Sequence, residues 1–257
     1  MSARAWAVGS VVALLLAGCG EATGGDGDRS DGMSGTLTVF AAASLTDAFT
    51  DLGDRLVDDH PDLDVQFNFA GSAGLATQIA QGAPADVFAS ANDTQMAVVT
   101  EAGLAASDPV VFTANVLEIA VPAGNPAGIS GLADFAREDL TLAVCAPDVP
   151  CGEAAEQVFE AAGITAVPDT LEEDVRAALT KVELGEVDAA LVYASDVRSA
   201  GDAVEDIGFP EAEEAVNEYP ICVLAAAPNA EAAQAFVDLV LSDEGQQVLA
   251  DAGFTVP

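Results

Sequence analysis

The chain has 257 residues, of which 51% are apolar, so it is long enough to bury one large core or two smaller ones. Its 43 acidic residues outnumber 7 basic residues and give a net charge of -36, which argues against nucleic acid or an anionic membrane surface as a partner. Solubility or adaptation to salt is the plainest explanation of this charge. Any anionic ligand must be held by local dipoles, because the field of the whole chain repels it.

The N-terminal segment has the features of an export signal. Residues 1–18 combine a weakly positive start at Arg4 with an apolar run that is too short to span a bilayer. The sequence LAGC at residues 16–19 resembles the bacterial lipoprotein box, which implies that the chain is cut before Cys19 and that Cys19 carries lipid. An ordinary secretory signal with a chance cysteine is the alternative. Residues 19–35 have little to bury and predict a flexible tether.

Strands and helices alternate through the rest of the chain, a pattern typical of an α/β fold with parallel sheets. In chain order, the pattern of apolar residues predicts strands at 36–41, 64–69, 85–89, 116–121, 140–145, 189–193 and 221–226. It predicts helices from Leu45 to the break at His60-Pro61, after Gly74, from Asn92 to Gly103, and at 152–162, 172–184, 229–241 and 243–251.

Two apolar strands that are far apart in the sequence, 116–121 and 221–226, flank a second run of strands and helices. We interpret this layout as two lobes with the two strands crossing between them. Lobe 1 is formed by residues 36–115 plus 227–257, and lobe 2 by residues 116–226. Ligands of open α/β sheets bind beyond the carboxyl ends of the strands, so we expect a ligand cleft between the lobes of a monomer.

Three cysteines remain if Cys19 carries lipid, and export would permit a disulfide. We predict a bond between Cys145 and Cys151, which lie in the short segment CAPDVPC, with Cys222 left as a buried thiol in an apolar strand. Pairing of Cys145 with Cys222 is the alternative, and the sequence leaves the choice open. A zinc site is not expected, because the spacing is not that of a short ligand pair and the only histidine, His60, precedes a proline.

Five places share one design, in which a strand or loop ends, a small or hydroxyl residue follows and a helix begins. They are Ser44, Ser72, Cys151-Gly152, Asp174-Val175 and Tyr193. A helix start carries unpaired N–H groups and about half a positive charge, so several starts that converge on a cleft can hold an anion without any cation. Each feature also has a plainer interpretation: a helix N-cap for each serine, a core tyrosine with a satisfied hydroxyl, and an ordinary helical valine.

A serine hydrolase is the enzymatic alternative, and the sequence supports it poorly. The segment AGSAG around Ser72 misses the G-x-S-x-G elbow, because Ala70 holds the first glycine position. The only imidazole, that of His60, lies in a poor context for a catalytic triad. The chain has no phosphate loop with lysine, no H-E-x-x-H motif and no calcium-loop spacing. We therefore expect neither enzymatic activity nor a cofactor.

Six motifs occur in a fixed order from about residue 36 to residue 254: TVFAAASLTDAF, FNFAGSAGLATQIAQGAPADVFASAN, VPCG, EEDVRAAL, LVYASD and EYP. Together they resemble the molybdate-binding proteins of bacterial ABC importers. The resemblance implies a two-lobed, type II periplasmic-binding-protein fold with a tetrahedral oxyanion in the cleft. Together with the lipoprotein box at residues 16–19, it leads us to expect a lipid-anchored protein at the outer face of the cell membrane, which passes molybdate, and tungstate as well, to an ABC permease and its ATPase.

Carried over residue by residue, the resemblance implies oxyanion contacts from the hydroxyl and backbone N–H of Ser44 and Ser72, from the backbone N–H of Cys151 and Val175, and from the hydroxyl of Tyr193. Cys151 departs from the pattern, since relatives often have alanine there, and its contact requires that a disulfide leave the N–H in place. Molybdenum is expected only as bound molybdate.

Neutral donors suit molybdate and tungstate, which stay doubly charged at neutral pH. Phosphate is protonated there, and a site for it would benefit from a carboxylate acceptor, which none of the five contact residues supplies, although Asp174 adjoins one of them. Sulfate has the same charge and shape as molybdate but is smaller. Sulfate or another solute is therefore the alternative ligand, and the choice depends on a cavity size that the sequence does not give.

Overall fold

The computed structural model describes residues 32–255, whose framework is two five-stranded sheets. The strands of this part are β1 Gly35–Ala42, β2 Leu63–Ala70, β3 Val87–Ala89, β4 Val110–Asn115, β5 Leu117–Pro122, β6 Leu142–Cys145, β7 Thr170–Glu172, β8 Ala189–Tyr193, β9 Val204–Ile207 and β10 Asn217–Val223. The helices are α1 Thr46–Asp59, α2 Ser72–Ala80, α3 Asp93–Glu101, α4 Pro150–Ala162, α5 Val175–Glu183, α6 Ala194–Ala200, α7 Ala230–Leu241 and α8 Asp243–Asp251. Short 3-10 helices lie at Ala43–Leu45, Leu132–Ala136, Gly201–Ala203 and Pro210–Glu214.

Most of the N-terminal predictions fall outside the described residues. These are the signal peptide at 1–18, the lipid-bearing Cys19 and residues 19–31 of the tether. The tether was predicted one residue too long, because Gly35 is already the first residue of β1 and pairs with Leu63 of β2. Between residues 32 and 255, no helix combines the length and the apolar character needed to cross a bilayer.

The first sheet has the strand order β2-β1-β3-β10-β4. Strand β1 runs parallel to β2 and β3, whereas β10 runs antiparallel to β3 and β4. Alternate residues of β1 face opposite sides of this sheet. Val39 belongs to the core that contains Phe49 of α1 and Phe236 of α7, while Phe40 belongs to a second core with Leu75 of α2. Helices therefore cover both faces, as expected of a mostly parallel sheet.

The second sheet has the order β7-β6-β8-β5-β9 and repeats this plan. Strand β6 is parallel to β7 and β8, and β5 is antiparallel to β8 and β9. One continuous core joins Leu142 and Leu191 of the sheet to Val158 of α4 and Leu179 of α5. The α/β class predicted from the alternating pattern is confirmed in both lobes.

The lobe boundary predicted after residue 226 is wrong. Strand β10 lies in the first sheet between β3 and β4, where Ile221 pairs with both Ala89 and Val110. Residues 217–226 therefore belong to lobe 1, and the chain crosses between the sheets near residues 116 and 216. The amino-acid pattern could not place this strand, because an apolar strand fits equally well into either sheet and only its hydrogen-bonding partners decide.

Local signals located most element ends correctly. The side chain of Asn92 accepts a hydrogen bond from the backbone N–H of Gln95 and so caps α3, as predicted. Gly163, at a φ of 66°, ends α4 in the left-handed conformation that glycine favours. The helix predicted at 172–184 begins only at Val175, because Thr170–Glu172 forms the edge strand β7. The pattern missed β4, β7, β9 and α6.

Candidate functional site

The parallel strands of both sheets end toward one cavity between the lobes, as open α/β sheets require. All five residues predicted for the site line this cavity: Ser44, Ser72, Cys151, Val175 and Tyr193. The volume that the centre of a water-sized sphere can reach there is about 20 Å³. Pockets for typical organic ligands have volumes of about 300–1,000 Å³, so this cavity suits one compact solute.

The five predicted site residues are buried between the two lobes. Each of the five residues is at most 4% exposed to solvent. Hydrogen bonds in such an enclosed site are electrostatically stronger than in water, and an unpaired polar group there is correspondingly costly. The state of each donor therefore decides what the cavity can hold.

Ser44 lies in the 3-10 helix Ala43–Leu45, which links β1 to α1. Its hydroxyl does not cap a helix, because Leu45 occupies the N-cap of α1 and no side chain caps that end. Ser44 Oγ instead lies 3.0 Å from the hydroxyl oxygen of Tyr219, and either atom can be the donor. The N-cap explanation of Ser44 is therefore wrong.

Ser72 is the first residue of α2 and is likewise not a capping residue. The N-cap position belongs to Gly71, which has no side chain to offer. Ser72 Oγ accepts a hydrogen bond of 3.1 Å from the backbone N–H of Ala91. Because a hydroxyl has one proton and two acceptor sites, this bond leaves the Ser72 proton available to the cavity.

Cys151 and Val175 present backbone groups from two helix starts in lobe 2. The first N–H groups of a helix have no acceptor within the helix. Pro150 is the first residue of α4 and has no N–H, so the N–H of Cys151 is the first donor of that helix. Val175 is the first residue of α5, and the Asp174 side chain caps this helix by accepting from a later N–H group, that of Ala177.

A disulfide joins Cys145 to Cys151, one of the two pairings that the sequence left open. Cys222 is a free, buried thiol in β10 of the other lobe. The disulfide ties the end of β6 to the start of α4, which positions the backbone of Cys151. A Cβ atom at the next residue, Gly152, would lie 1.8 Å from the carbonyl oxygen of Ala146, so only glycine fits this close approach.

Tyr193 ends β8, and its side chain is 1% exposed. Its hydroxyl lies beside that of Tyr219 but makes no hydrogen bond of good geometry within residues 32–255, so the interpretation of Tyr193 as a satisfied core tyrosine is wrong. An unsatisfied buried donor costs about 1–3 kcal/mol. Burial raises the pKa of Tyr193 well above its ordinary value, so the hydroxyl keeps its proton and can donate.

The charges around the cavity are unusual for an anion site. None of its described lining residues is basic, and one of them, Asp174, is acidic. Asp174 brings to the cavity a carboxylate acceptor of the kind that phosphate would need, although one oxygen of this carboxylate already caps α5. Within residues 32–255, no cluster of three or more His, Cys, Asp or Glu side chains could hold a metal ion.

The nearest cation, Arg176, is engaged elsewhere. Its Nε lies 2.9 Å from Oδ1 of the fully buried Asp196, whose other carboxylate oxygen accepts from the backbone N–H of Tyr193. Burial raises the pKa of Asp196 to about 7, and the Arg176 guanidinium acts in the opposite direction. The positive charge of Arg176 is thus neutralised by protein carboxylates next to the cavity.

Polar contacts join the lobes on both sides of the cavity. On one side, Nη2 of Arg176 and Oγ of Ser199 donate to Oδ2 of Asp47 at 2.6 and 2.5 Å. Partial burial acts to raise the pKa of Asp47, but these hydrogen bonds outweigh it and lower the pKa. On the other side, Nδ2 of Asn92 donates to Oε2 of Glu153 at 2.7 Å. The structure is therefore a closed form.

The motifs contained several residues whose roles the sequence did not reveal. Asp47 lies in TVFAAASLTDAF, Arg176 in EEDVRAAL and Tyr219 in EYP. The scarcity of basic residues was a usable signal that Arg176 pairs with carboxylates, since each arginine in so acidic a chain has many carboxylates to choose from. Nothing local pointed to Tyr219, because its contact with Ser44 spans 175 residues.

Comparison with known proteins agrees with this architecture. The family model described as "Bacterial extracellular solute-binding protein" matches residues 37–255. The chain belongs to this family. Among its relatives, the molybdate-binding protein ModA of Mycobacterium tuberculosis is 43% identical to this solute-binding protein over 255 residues, which are 97% of each chain.

Solved structures place this solute-binding protein in the type II periplasmic-binding-protein fold, as predicted. The periplasmic molybdate-binding protein of Azotobacter vinelandii is similar with a TM-score of 0.75 and 18% identity, over 86% of this chain and 99% of that chain. The sulfate-binding protein SubI of Mycobacterium tuberculosis is similar with a TM-score of 0.73 and 19% identity, over 85% of this chain and 86% of that chain. Since these folds serve different oxyanions, the fold alone does not name the solute.

Closure of this solute-binding protein depends on a glycine at the edge of the cavity. A Cβ atom at Gly71 would lie 2.3 Å from the carbonyl oxygen of Glu173 in the other lobe, whereas a Cβ atom at Gly74 would have nothing within 4 Å. Overpacking costs about 1–3 kcal/mol, so we expect Gly71→Ala to weaken solute affinity by about 5- to 150-fold. Calorimetric titration with molybdate, the oxyanion that the motifs predict, measures this effect.

Gly74→Ala is the matched control, because it makes the same change three residues away, within the helix whose N-cap is Gly71. We expect it to leave the affinity unchanged. Equal affinities of the two variants would contradict the closure argument, provided that both unfold cooperatively.

Proposed function

We propose that this protein binds molybdate outside the cell membrane and delivers it to an ABC permease that an ATPase drives. The observation that carries the proposal is the set of neutral donors on one enclosed cavity, at Ser44, Ser72, Cys151, Val175 and Tyr193. The 43% identity to a relative named as molybdate-binding supports the same ligand. Tungstate has the same charge and shape, and we propose that it binds at the same site.

The donor chemistry fits an ion that only accepts hydrogen bonds. Molybdate is a fully ionised tetrahedral oxyanion at neutral pH and has no proton to give, and the five positions offer hydroxyl and N–H protons. Each hydrogen bond to a charged group contributes about 1.5–3 kcal/mol, so several together can offset the loss of hydration. Two helix starts add their partial positive charge without introducing a basic side chain.

Calorimetric titration of the purified protein with molybdate, tungstate, sulfate and phosphate tests the proposal. We expect molybdate and tungstate to bind tightly and to compete with each other. Tight binding of sulfate or phosphate in the absence of molybdate binding would assign the cavity to another solute. Phosphate belongs in the series because Asp174 lines the cavity, and its carboxylate can accept a hydrogen bond from the P–OH group of protonated phosphate.

We also propose that the protein has no catalytic activity. The only histidine, His60, follows α1 as its C-cap residue and is not among the residues that line the cavity. Neither Ser44 nor Ser72 has an imidazole as a general base. Covalent labelling of either serine by a fluorophosphonate probe would contradict this proposal.

Removal of the Tyr193 hydroxyl should affect ligand affinity without affecting the stability of the ligand-free protein. Tyr193→Phe removes a donor to the proposed oxyanion, so we expect molybdate affinity to fall by about 5- to 150-fold, equivalent to about 1–3 kcal/mol. The same change removes a buried hydroxyl that has no partner among the described residues, so the ligand-free protein should not lose stability. Titration gives the first quantity, and urea unfolding without ligand gives the second.

Unchanged affinity would remove Tyr193 from the site. A fall in the unfolding free energy of the ligand-free protein would show instead that the hydroxyl has a structural role.

Delivery follows from closure of the lobes on the ligand. The contacts of Arg176 with Asp47 and of Asn92 with Glu153 hold the two lobes in one relative position, and we propose that the permease recognises this closed form. We propose that the protein acts as a monomer, which light scattering with and without molybdate checks. A stable dimer would contradict that part of the proposal.

We propose that lipid on Cys19 holds the protein at the outer face of the membrane. Cys19→Ala removes the attachment point suggested by the LAGC sequence, so the protein should move from the membrane fraction to the medium or the soluble extracytoplasmic fraction. Fractionation and labelling with a palmitate analogue measure this change. The same membrane association in the variant and the original protein would contradict lipid anchoring.

A further inference from the structure

The two site serines share an arrangement that the donor set alone does not explain. Each serine oxygen is already paired with a second group of the protein: Ser72 with the backbone N–H of Ala91 at 3.1 Å, and Ser44 with the hydroxyl of Tyr219 at 3.0 Å. Both serines are almost completely buried. The second group therefore influences which way each serine proton points.

Each serine hydroxyl has a single proton, and this fixes the donor and the acceptor in its hydrogen bonds once an oxyanion is bound. A serine hydroxyl has one proton, and a fully ionised oxyanion can use only that proton. If Ser44 donates to the anion, its remaining bond must be one that it accepts, so Tyr219 must be the donor. The Ala91 N–H can act only as a donor, so the Ser72 bond already has the required direction.

We propose that Tyr219 is a positioning residue, which donates its hydroxyl proton to Ser44 and thereby turns the Ser44 proton toward the bound oxyanion. The inference rests on the proposed function, because the Tyr219-to-Ser44 direction of this hydrogen bond is imposed only by a ligand that accepts the Ser44 proton. Tyr219 does not line the cavity and acts through Ser44.

The surroundings of Tyr219 hold its hydroxyl in place. The residue is 0% exposed and lies in β10, where it pairs with Thr113 of β4. Its ring packs edge-on against Phe254 and Phe112, with centroid distances of 5.5 and 6.4 Å. Burial raises the pKa of Tyr219, so the hydroxyl keeps its proton. A protonated phenol held in this way can donate to Ser44, and the side chains of Asn115 and Tyr193 also lie beside its hydroxyl.

The two serines differ in a way that makes the inference testable. The partner of Ser72 is a backbone group, which no substitution removes, whereas the partner of Ser44 is a side-chain hydroxyl, which phenylalanine lacks. Tyr219→Phe keeps the ring and its packing and deletes only the donor. Its effect on binding should therefore pass through Ser44 and be independent of Ser72.

The experiment is a double-mutant cycle on the affinity of the full chain for molybdate, with Tyr219→Phe and Ser44→Ala made separately and together. We expect Tyr219→Phe alone to weaken binding about tenfold, the effect of one misdirected hydrogen bond. In the Ser44→Ala background, Tyr219→Phe should cause no further loss. The Ser72→Ala background is the matched control, and there the loss of about tenfold should remain.

Two outcomes would overturn the inference. Unchanged affinity in Tyr219→Phe would show that Ser44 needs no orientation. A further loss of about tenfold in the Ser44→Ala background would show that Tyr219 acts by general packing, and urea unfolding of each ligand-free variant measures that contribution directly. If the original protein binds sulfate and not molybdate, the proposed ligand is wrong and the same cycle with sulfate tests Tyr219. If it binds no oxyanion, both proposals fail.

Discussion

Parallel strands end on the same side of their sheet, and this constraint places every donor of the candidate site. In lobe 1 the chain turns from β1 and β2 into helices at Ser44 and Ser72, and in lobe 2 it leaves β6, β7 and β8 for helices near Cys151, Val175 and Tyr193. The carboxyl ends of the strands in both sheets point toward the same cavity. Residues from distant parts of the chain therefore line it together. The site therefore follows from the arrangement of strands rather than from any one motif.

The described lining of the cavity contains no basic side chain and one acidic side chain, that of Asp174. The guanidinium of Arg176, next to the cavity-lining Val175, is paired with Asp47 and Asp196. A solute that needs a full positive charge gains nothing from such a site, whereas an ion that accepts many hydrogen bonds can be held by dipoles alone. Mutual pairing of the charges also keeps them in fixed positions, so that Arg176 joins the lobes.

The closed form combines tight contact with unsatisfied donors. Gly71 touches the backbone of Glu173 in the other lobe so closely that no side chain fits, and polar contacts join the lobes on both sides of the cavity. At the centre of this well-packed region, the Tyr193 hydroxyl is buried without a partner among the described residues. A protein tolerates such a cost where the donor serves a ligand, and closure brings all of the donors to it together.

The sequence by itself determined the α/β class, the helix ends at Asn92 and Gly163, and five of the residues that line the cavity, because caps, periodicity and strand ends are local properties and the ordered motifs span most of the chain. Only the tertiary structure decided that β10 belongs to lobe 1, that Cys145 bonds to Cys151, and that Ser44 contacts Tyr219 and does not cap a helix. These features depend on which distant groups meet. A strand, a thiol or a hydroxyl has the same local pattern whichever partner it finds, so long-range pairing had to be seen in the folded chain.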